Sequence, residues 1–464
     1  MNFKKDFPLT SSHWGTYRAK VKDGKVKELI GWENDKDPSP IGQGIVDVHN
    51  HQTRIDSPMI RKSWMDKGPG SNNSLRGTDP FISISWDEAE KIVSNELNRV
   101  KNDFGNASIF GGSYGWASAG RFHHAQSQLH RFLNCIGGYT RSKFTYSFAA
   151  AEAMVPHILG SYRAYLDTCT SWESIEENTE LFICFGGVPL KNGQIAQGGT
   201  GSHKQKEKLI RSANAGIKFV NFSPLKSDLL DEVNGEWLAL RPNTDVAIML
   251  GLAHTLYKEK LYDDKFIEKY TEGFDTFLPY LQGDIDGIVK DANWASSISE
   301  IPSEKIISLA KEMSSKRTMI SVSWSLTRQD HGEQPFWAAI MLASMVGQIG
   351  LPGGGFGFGY SATNHIGGQF SIIPGAAFPQ TQNKIEDFIP VARISDLLLN
   401  PGGSFDFDGK EYKYPDIKLI YWAGGNPFHH HQDINRLLQA WQKPETIISN
   451  EWCWNSLAKY SDII

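Results

Sequence analysis

A chain of 464 residues is too long for a single hydrophobic core, so several packed units are expected. With 40% hydrophobic and 21% charged residues the composition is that of an ordinary globular protein, and a formal net charge of -5 gives no electrostatic footprint for nucleic acid or an anionic membrane surface. No apolar run approaches the ~20 residues of a membrane-spanning helix, and the first residues, Met-Asn-Phe-Lys-Lys-Asp-Phe-Pro, hold neither a twin arginine nor an apolar stretch, so a cytoplasmic protein with no membrane span is expected.

Residues 17–29 alternate around Asp23-Gly24, which predicts a β-hairpin. The chain to about residue 80 is rich in Pro, Gly, Asn and Asp and reads as loop and short strand. Ser85-Trp86-Asp87-Glu88 is a capping-box pattern that opens a helix with apolar Ala89, Ile92, Val93, Leu97 and Val100. Strands then alternate with helices. The strands are expected near 107–110, 180–185, 217–222, 317–323, 416–422 and 445–449, and the helices near 118–135, 148–159, 203–213, 244–258, 333–348 and 432–441.

Such alternation predicts an α/β protein of several domains, with parallel sheets flanked by helices and a small N-terminal antiparallel β piece. The expected divisions are an N-terminal β subdomain over 1–60 and a discontinuous first α/β domain over 61–155 and 355–464. A second, dinucleotide-binding-like α/β domain would occupy 156–354. Gly355-Phe-Gly-Phe-Gly359 does not open a helix as a dinucleotide fingerprint should, and there is no P-loop.

Cys135, Cys169, Cys184 and Cys453 are far apart, so neither a zinc site nor a cysteine-ligated iron–sulfur cluster is legible. Cys135 and Cys184 lie in apolar surroundings and read as core thiols. His429-His430-His431 invites a metal, but successive side chains in extended backbone point apart, which disfavours three ligands on one ion.

The stretch from Ile109 to Ser147 is the best candidate for chemistry. Apolar Ile109-Phe110 runs into Gly111-Gly112-Ser113-Tyr114-Gly115-Trp116, a polar helical segment with Arg121, His123 and His124 follows, and Thr145-Tyr146-Ser147 precedes the next helix. Phe110-Gly111-Gly112, Phe185-Gly186-Gly187 and Ala423-Gly424-Gly425 each close an apolar strand. Because ligands of open α/β sheets bind outside the carboxyl ends of the strands, three such exits suggest one extended bed where backbone approaches a ligand closely. Tight strand-to-loop turning is the plainer account of the same glycines.

Gly-Ser-Tyr-Gly-Trp with a Tyr-Ser pair a helix and a turn later resembles the molybdenum-binding segment of the S- and N-oxide reductases, which include the dimethyl sulfoxide, biotin sulfoxide and trimethylamine N-oxide reductases. The resemblance extends from Ser12-His13-Trp14-Gly15 to Ser461-Asp462-Ile463-Ile464, where the chain stops inside what reads as another strand. It implies a bis(molybdopterin guanine dinucleotide) cofactor and molybdenum, and it implies that this chain covers well over half of a typical member. No iron–sulfur cluster is expected.

By the resemblance, the Ser147 oxygen is the protein ligand on molybdenum, and Tyr114 and Trp116 flank the open face of the metal, where O–H and N–H donors would steady the oxygen being transferred. Read from its position alone, Ser147 is more simply an N-cap for the helix that follows, and both roles could hold at once. Asn243, Thr244 and Asp245 match the guanine-recognising segment, where the Asp245 carboxylate would accept from a guanine edge and Thr244 would cap the apolar helix. Lys191, Asn192 and Ser223 match further cofactor contacts, as do Trp324 and Arg328, whose guanidinium suits phosphate. Asn426, His430 and Asn450 complete the set. Lys226 stands where an Arg is common, Asn192 where a Thr is frequent, and 361–388 is shorter than in relatives, which leaves the substrate open.

The implied activity is transfer of an oxygen atom from a small S-oxide or N-oxide, with electrons from an external cytochrome, flavoprotein or thiol system. The alternative is a truncated chain that holds the cofactor only in part and is inactive.

Overall fold

The computed structural model describes residues 7–116, 122–368 and 377–464. Arg121, the first residues of the expected 118–135 helix and part of the short 361–388 segment lie outside them.

The chain opens with a three-stranded antiparallel sheet of Leu9–Ser12, Gly15–Lys22 and Lys25–Gly31. Asp23 and Gly24, at the tip of its hairpin, both take positive φ (53° and 71°), the combination that matches the twist of paired strands. The helix Trp86–Phe104 begins as its sequence dictates, with Ser85 and Glu88 capping one another's backbone N–H groups.

Two larger parallel sheets organise the rest, with three two-stranded pairs beside them among the described residues. The first places Leu419–Ala423 between Thr446–Asn450 and Ile109–Gly112. The second runs Glu236–Leu238, Lys218–Phe222, Leu181–Phe185, Thr318–Val322, Gly355–Phe358, all parallel. In chain order this is 3-2-1-4-5, so the strand order reverses between Leu181–Phe185 and Thr318–Val322. The two faces of this sheet serve separate cores. Leu181, Ile183 and Phe185 pack with the apolar helices Asp245–Lys258 and Gln334–Val346, while Phe182 and Cys184 face Leu209, Trp172 and Tyr360. Burial on both faces explains why these strands read as unbroken apolar runs.

Several expectations change. The strand Gly355–Phe358, set by the sequence reading at the start of the returning half of the first domain, pairs instead along the edge of the second sheet. Its glycines hide a strand that is buried because the Tyr360 ring fills the place of a Gly357 side chain. Helices Asp264–Tyr270, Phe274–Gln282, Ala292–Ser299 and Ser303–Ser315 occupy a stretch the strand–helix alternation passes over. Cys184 is buried as expected, but Cys135, at a helix end, is exposed. Ile463 bridges Ile60 on one side and Ile448 on the other, the strand-like position the sequence suggests. Beside it Asp462, wholly buried, accepts from Arg61 Nε at 2.7 Å and Arg76 Nη2 at 2.5 Å, tying the 59–80 segment to the first sheet.

Among the described residues no helix is long and apolar enough to cross a membrane, and no cluster of three His, Cys, Asp or Glu could hold a metal ion.

Candidate active site

The carboxyl ends of both sheets gather the residues singled out above. At the first sheet, Ile109–Gly112 leads to Tyr114 and Trp116, Leu419–Ala423 to Asn426 and His430, and Thr446–Asn450 ends on exposed Asn450. At the second, Leu181–Phe185 leads to Lys191 and Asn192, Lys218–Phe222 to Ser223, Glu236–Leu238 to Asn243, Thr244 and Asp245, and Thr318–Val322 to Trp324 and Arg328. Gly186 and Ser323 stand at the reversal of strand order, and a Cβ on Gly186 would meet Ser323 Cβ at 2.8 Å. In open α/β sheets that crevice is where ligands bind.

The turn holding Ser147 lies between the two edges. Tyr146 reaches the first: its ring centroid is 5.6 Å from Tyr114, 5.3 Å from His430 and 5.7 Å from His431, and its hydroxyl donates to Gln432 Oε1 at 2.9 Å. On the other side the Ser147 carbonyl accepts from Thr327 Oγ1 at 3.1 Å, and the Phe148 ring lies 4.2 Å from Trp324. The helix after the turn is Ala149–Leu159, and its cap position falls to Phe148 with no side-chain hydrogen bond. Ser147 is therefore not the cap that position alone suggested.

The glycine pairs do a different job from the one expected of them. Where a Cβ would stand on Gly111 lie Tyr139 and Leu133; on Gly112, the Trp422 indole; on Gly424, Ala125 and Gly115; on Gly425, Tyr114. On Gly187 the space belongs to Asp228. Protein, not open crevice, fills these places, so the glycines let the loops that form the bed pack tightly against one another. His124, buried, adds to this: its Nε2 donates to the Gly115 carbonyl at 3.1 Å, fixing the peptide between Tyr114 and Trp116. Trp116 also approaches His13, in the turn between the first two strands, at 5.9 Å between ring centroids.

Individual side chains differ in how far their polar groups are already used. Ser223 donates to Asp228 Oδ2 at 2.7 Å and accepts from Leu225 N–H; Lys191, largely exposed, bonds the other oxygen of that carboxylate at 3.2 Å. Asn192 is held by its backbone to Pro189, and Arg328 is exposed. Asn243 adopts φ 66°, and Thr244 donates back to the Arg241 carbonyl at 2.6 Å instead of capping its helix. His430 Nδ1 donates to the Asn426 carbonyl at 2.9 Å.

Four of the chosen residues, in contrast, keep a buried polar atom with no protein partner: the Tyr114 hydroxyl, the Asp245 Oδ1, the Trp324 indole Nε1 and the Asn426 Nδ2. Each such group left unsatisfied costs about 1–3 kcal/mol, and native interiors seldom tolerate it. Burial pushes the Asp245 carboxyl up to about 6 and the Tyr114 phenol well above its ordinary range. Two N–H donors, a hydroxyl and a carboxylate suit a ligand with both acceptor groups and a donor edge. His431, weighed from the sequence only as one of three adjacent candidate metal ligands, joins them: it is buried with Nε2 unpartnered, and burial, then neighbouring His430, lowers its pKa to about 4.

Open α/β sheets with loops at their carboxyl edges serve many functions, so the family rests on the comparisons with known proteins. The family model for molybdopterin oxidoreductases matches residues 54–464 and that for their N-terminal domain matches 10–48, and the chain belongs to this family. Membership implies a molybdenum–molybdopterin cofactor, and the orphaned polar atoms at the sheet edges fit one. The chain is 45% identical over 431 residues to a biotin sulfoxide reductase of Cereibacter sphaeroides, 93% of this chain and 58% of that protein. It is 42% identical to a dimethyl sulfoxide/trimethylamine N-oxide reductase of Rhodobacter capsulatus (98% of this chain, 56% of that one) and 40% identical to a trimethylamine-N-oxide reductase of Haemophilus influenzae, with the same coverage. The chain thus spans under three-fifths of the length of these relatives. Acetylene hydratase from Pelobacter acetylenicus shares the fold, at a TM-score of 0.59 and 16% identity over 97% of this chain and 60% of that one.

Proposed function

We propose that this protein is a molybdenum-dependent reductase of S-oxides or N-oxides, and that its cofactor is the bis(molybdopterin guanine dinucleotide) form without an iron–sulfur cluster. The observation that carries this reading is the Ser147 turn, placed between two sheet edges whose side chains hold unpartnered polar atoms. When bound, molybdenum supplies a two-electron centre able to take an oxygen atom from sulfur or nitrogen. Ser147 offers it a single oxygen ligand. Tyr114, whose ring packs on Tyr146 of that turn, and Trp116, two residues further along the same loop, would donate O–H and N–H to the oxide oxygen and stabilise charge as the S–O or N–O bond breaks. A Tyr114 phenol held well above its ordinary range by burial stays protonated at neutral pH and remains a donor.

At the second sheet, Asp245 and Asn243 would take a guanine edge, and Lys191, Ser223, Trp324 and Arg328 the rest of one dinucleotide arm. Asn426, His430 and Asn450 would serve the pterin on the first sheet. Electrons come from an external donor. The names of the relatives support a sulfoxide or amine oxide as substrate.

The test is viologen-linked reduction of biotin sulfoxide, dimethyl sulfoxide and trimethylamine N-oxide, with molybdenum and released pterin measured on the same samples. Ser147→Ala is expected to abolish nearly all turnover while the purified protein still releases pterin. Equal turnover in both proteins would remove Ser147 from the metal.

A further inference from the structure

The turn that carries Ser147 is tied to its surroundings through the residues on either side of it. The helix after it starts without a side-chain cap. The Thr327 hydroxyl that approaches the Ser147 carbonyl at 3.1 Å lies closer, at 2.8 Å, to the Trp324 carbonyl, and its single proton is shared between the two. Ahead of the turn, the Thr145 N–H donates to Glu152 Oε2 at 2.8 Å, which fixes the chain two residues upstream. Phe144 before it is in the left-handed region, at φ 64°, so the backbone enters the turn in a conformation that needs outside support.

Tyr146 supplies that support from the opposite sheet. Its ring is enclosed by Tyr114, His430 and His431, and its hydroxyl ends on Gln432, all outside its own segment. We propose that Tyr146 is a positioning residue for Ser147: through its hydrogen bond to Gln432 and its packing against the Tyr114–His430 pair, it holds the serine turn at the distance from the first sheet that the site requires. The inference rests on Ser147 being the metal ligand proposed above. Groups that must meet a reaction centre lose rate steeply when displaced by about 1 Å, so a bond that fixes the residue before the ligand acts on turnover and leaves substrate affinity alone.

Three variants test this. Tyr146→Phe removes only the donor, Gln432→Leu only the acceptor, and Gln432→Glu keeps an oxygen in place of the amide oxygen. Amide hydrogen exchange is measured over residues 145–151 in the purified protein without substrate, with the helix Ser303–Ser315 as internal reference for global stability. In the first two variants exchange at 145–151 should quicken about fivefold with the reference unchanged, as loss of one hydrogen bond implies, and kcat should fall about tenfold at unchanged KM. Gln432→Glu should restore both. Exchange and kcat in Tyr146→Phe within twofold of the parent would overturn the proposal, as would quickening shared by the reference helix. If exchange responds but the parent protein reduces no oxide, the tether stands and the role of Ser147 falls. If oxide reduction persists and exchange does not respond, the tether alone falls.

Discussion

Asp245 shows how a single buried group can carry both a cost and a purpose. Its side chain opens the apolar helix Asp245–Lys258, is 3% exposed, and keeps one oxygen unpartnered. The ordinary value of 3.8 is raised to about 6 by burial, so the fold retains the proton after the unfolded chain has lost it. Stability therefore declines as pH climbs from 3.8 to about 6 and stays reduced above, by ~3 kcal/mol in all. Asp245→Asn should remove this one contribution, seen as a smaller drop in urea midpoint between pH 4 and pH 8 than the parent shows. The remainder comes from groups such as Glu451, which burial raises to about 7. Identical pH profiles would mean that the carboxyl is not burdened by its surroundings. The sequence supplied this residue only through a resemblance to guanine-binding segments; nothing in Arg241-Pro242-Asn243-Thr244-Asp245 itself distinguishes a ligand-seeking carboxylate from a helix-opening one. The same holds for Tyr146 and His431, whose importance comes from partners nearly 300 residues distant or adjacent in a loop with no periodic signal.

Strands and helices were far more legible than side-chain roles, because apolar runs ended by turn residues and periodic helices are local patterns. Six of the parallel strands, at 109–112, 181–185, 218–222, 318–322, 419–423 and 446–450, fall where alternation puts them. Glu236–Leu238 and Gly355–Phe358 escape because one is only three residues long and the other is half glycine. The glycine pairs left a ligand bed and tight turning both open, since sequence shows that a Cβ is missing and not what occupies its place; positive φ at Gly186, Gly187, Gly424 and Gly425 accords with turning. Gly425 states the consequence most clearly. At φ 73°, with a Cβ expected 2.6 Å from Tyr114 Cβ, Gly425→Ala must both strain the backbone and push Tyr114 aside. Gly409, at φ 75° with nothing within 4 Å, isolates the backbone component. Thermal unfolding should place Gly425→Ala about 1–3 kcal/mol below Gly409→Ala, the usual penalty of overpacking. Equal losses would show that Tyr114 can move freely.

At the scale of the whole molecule, the N-terminal sheet is joined to the second α/β unit through a buried His203–Asp35 pair. His203 Nδ1 donates to Asp35 Oδ2 at 2.7 Å and Nε2 to the Gln194 carbonyl at 2.8 Å. Both partners only accept, so both ring nitrogens must carry protons and the ring is an imidazolium. Burial alone would lower its pKa, but the bonds to Asp35 and Gln194 outweigh this and leave it above 6.5; for Asp35 burial is likewise outweighed by the bonds from His203, and its pKa falls below 3.8. The stabilisation is complete between 3.8 and 6.5, fades as pH rises through the raised His203 value, and fades again as pH falls through the lowered Asp35 value. Limited proteolysis of the N-terminal sheet, corrected with a peptide substrate, should accelerate from pH 6 to pH 9, and His203→Gln should cleave fast at both. A parent rate independent of pH would sink this account.

The pairing of Ile109–Gly112 with Leu419–Ala423 also has a consequence for how the molecule is made. The two strands are 310 residues apart, counting from 109 to 419, while every strand of the second sheet has been synthesised by residue 358. At roughly 5–20 residues per second, the earlier strand waits roughly 15–60 s on the ribosome for its neighbour. All strands of the second sheet are thus available before the first sheet, with the segment that bears Tyr114 and Trp116, can be completed.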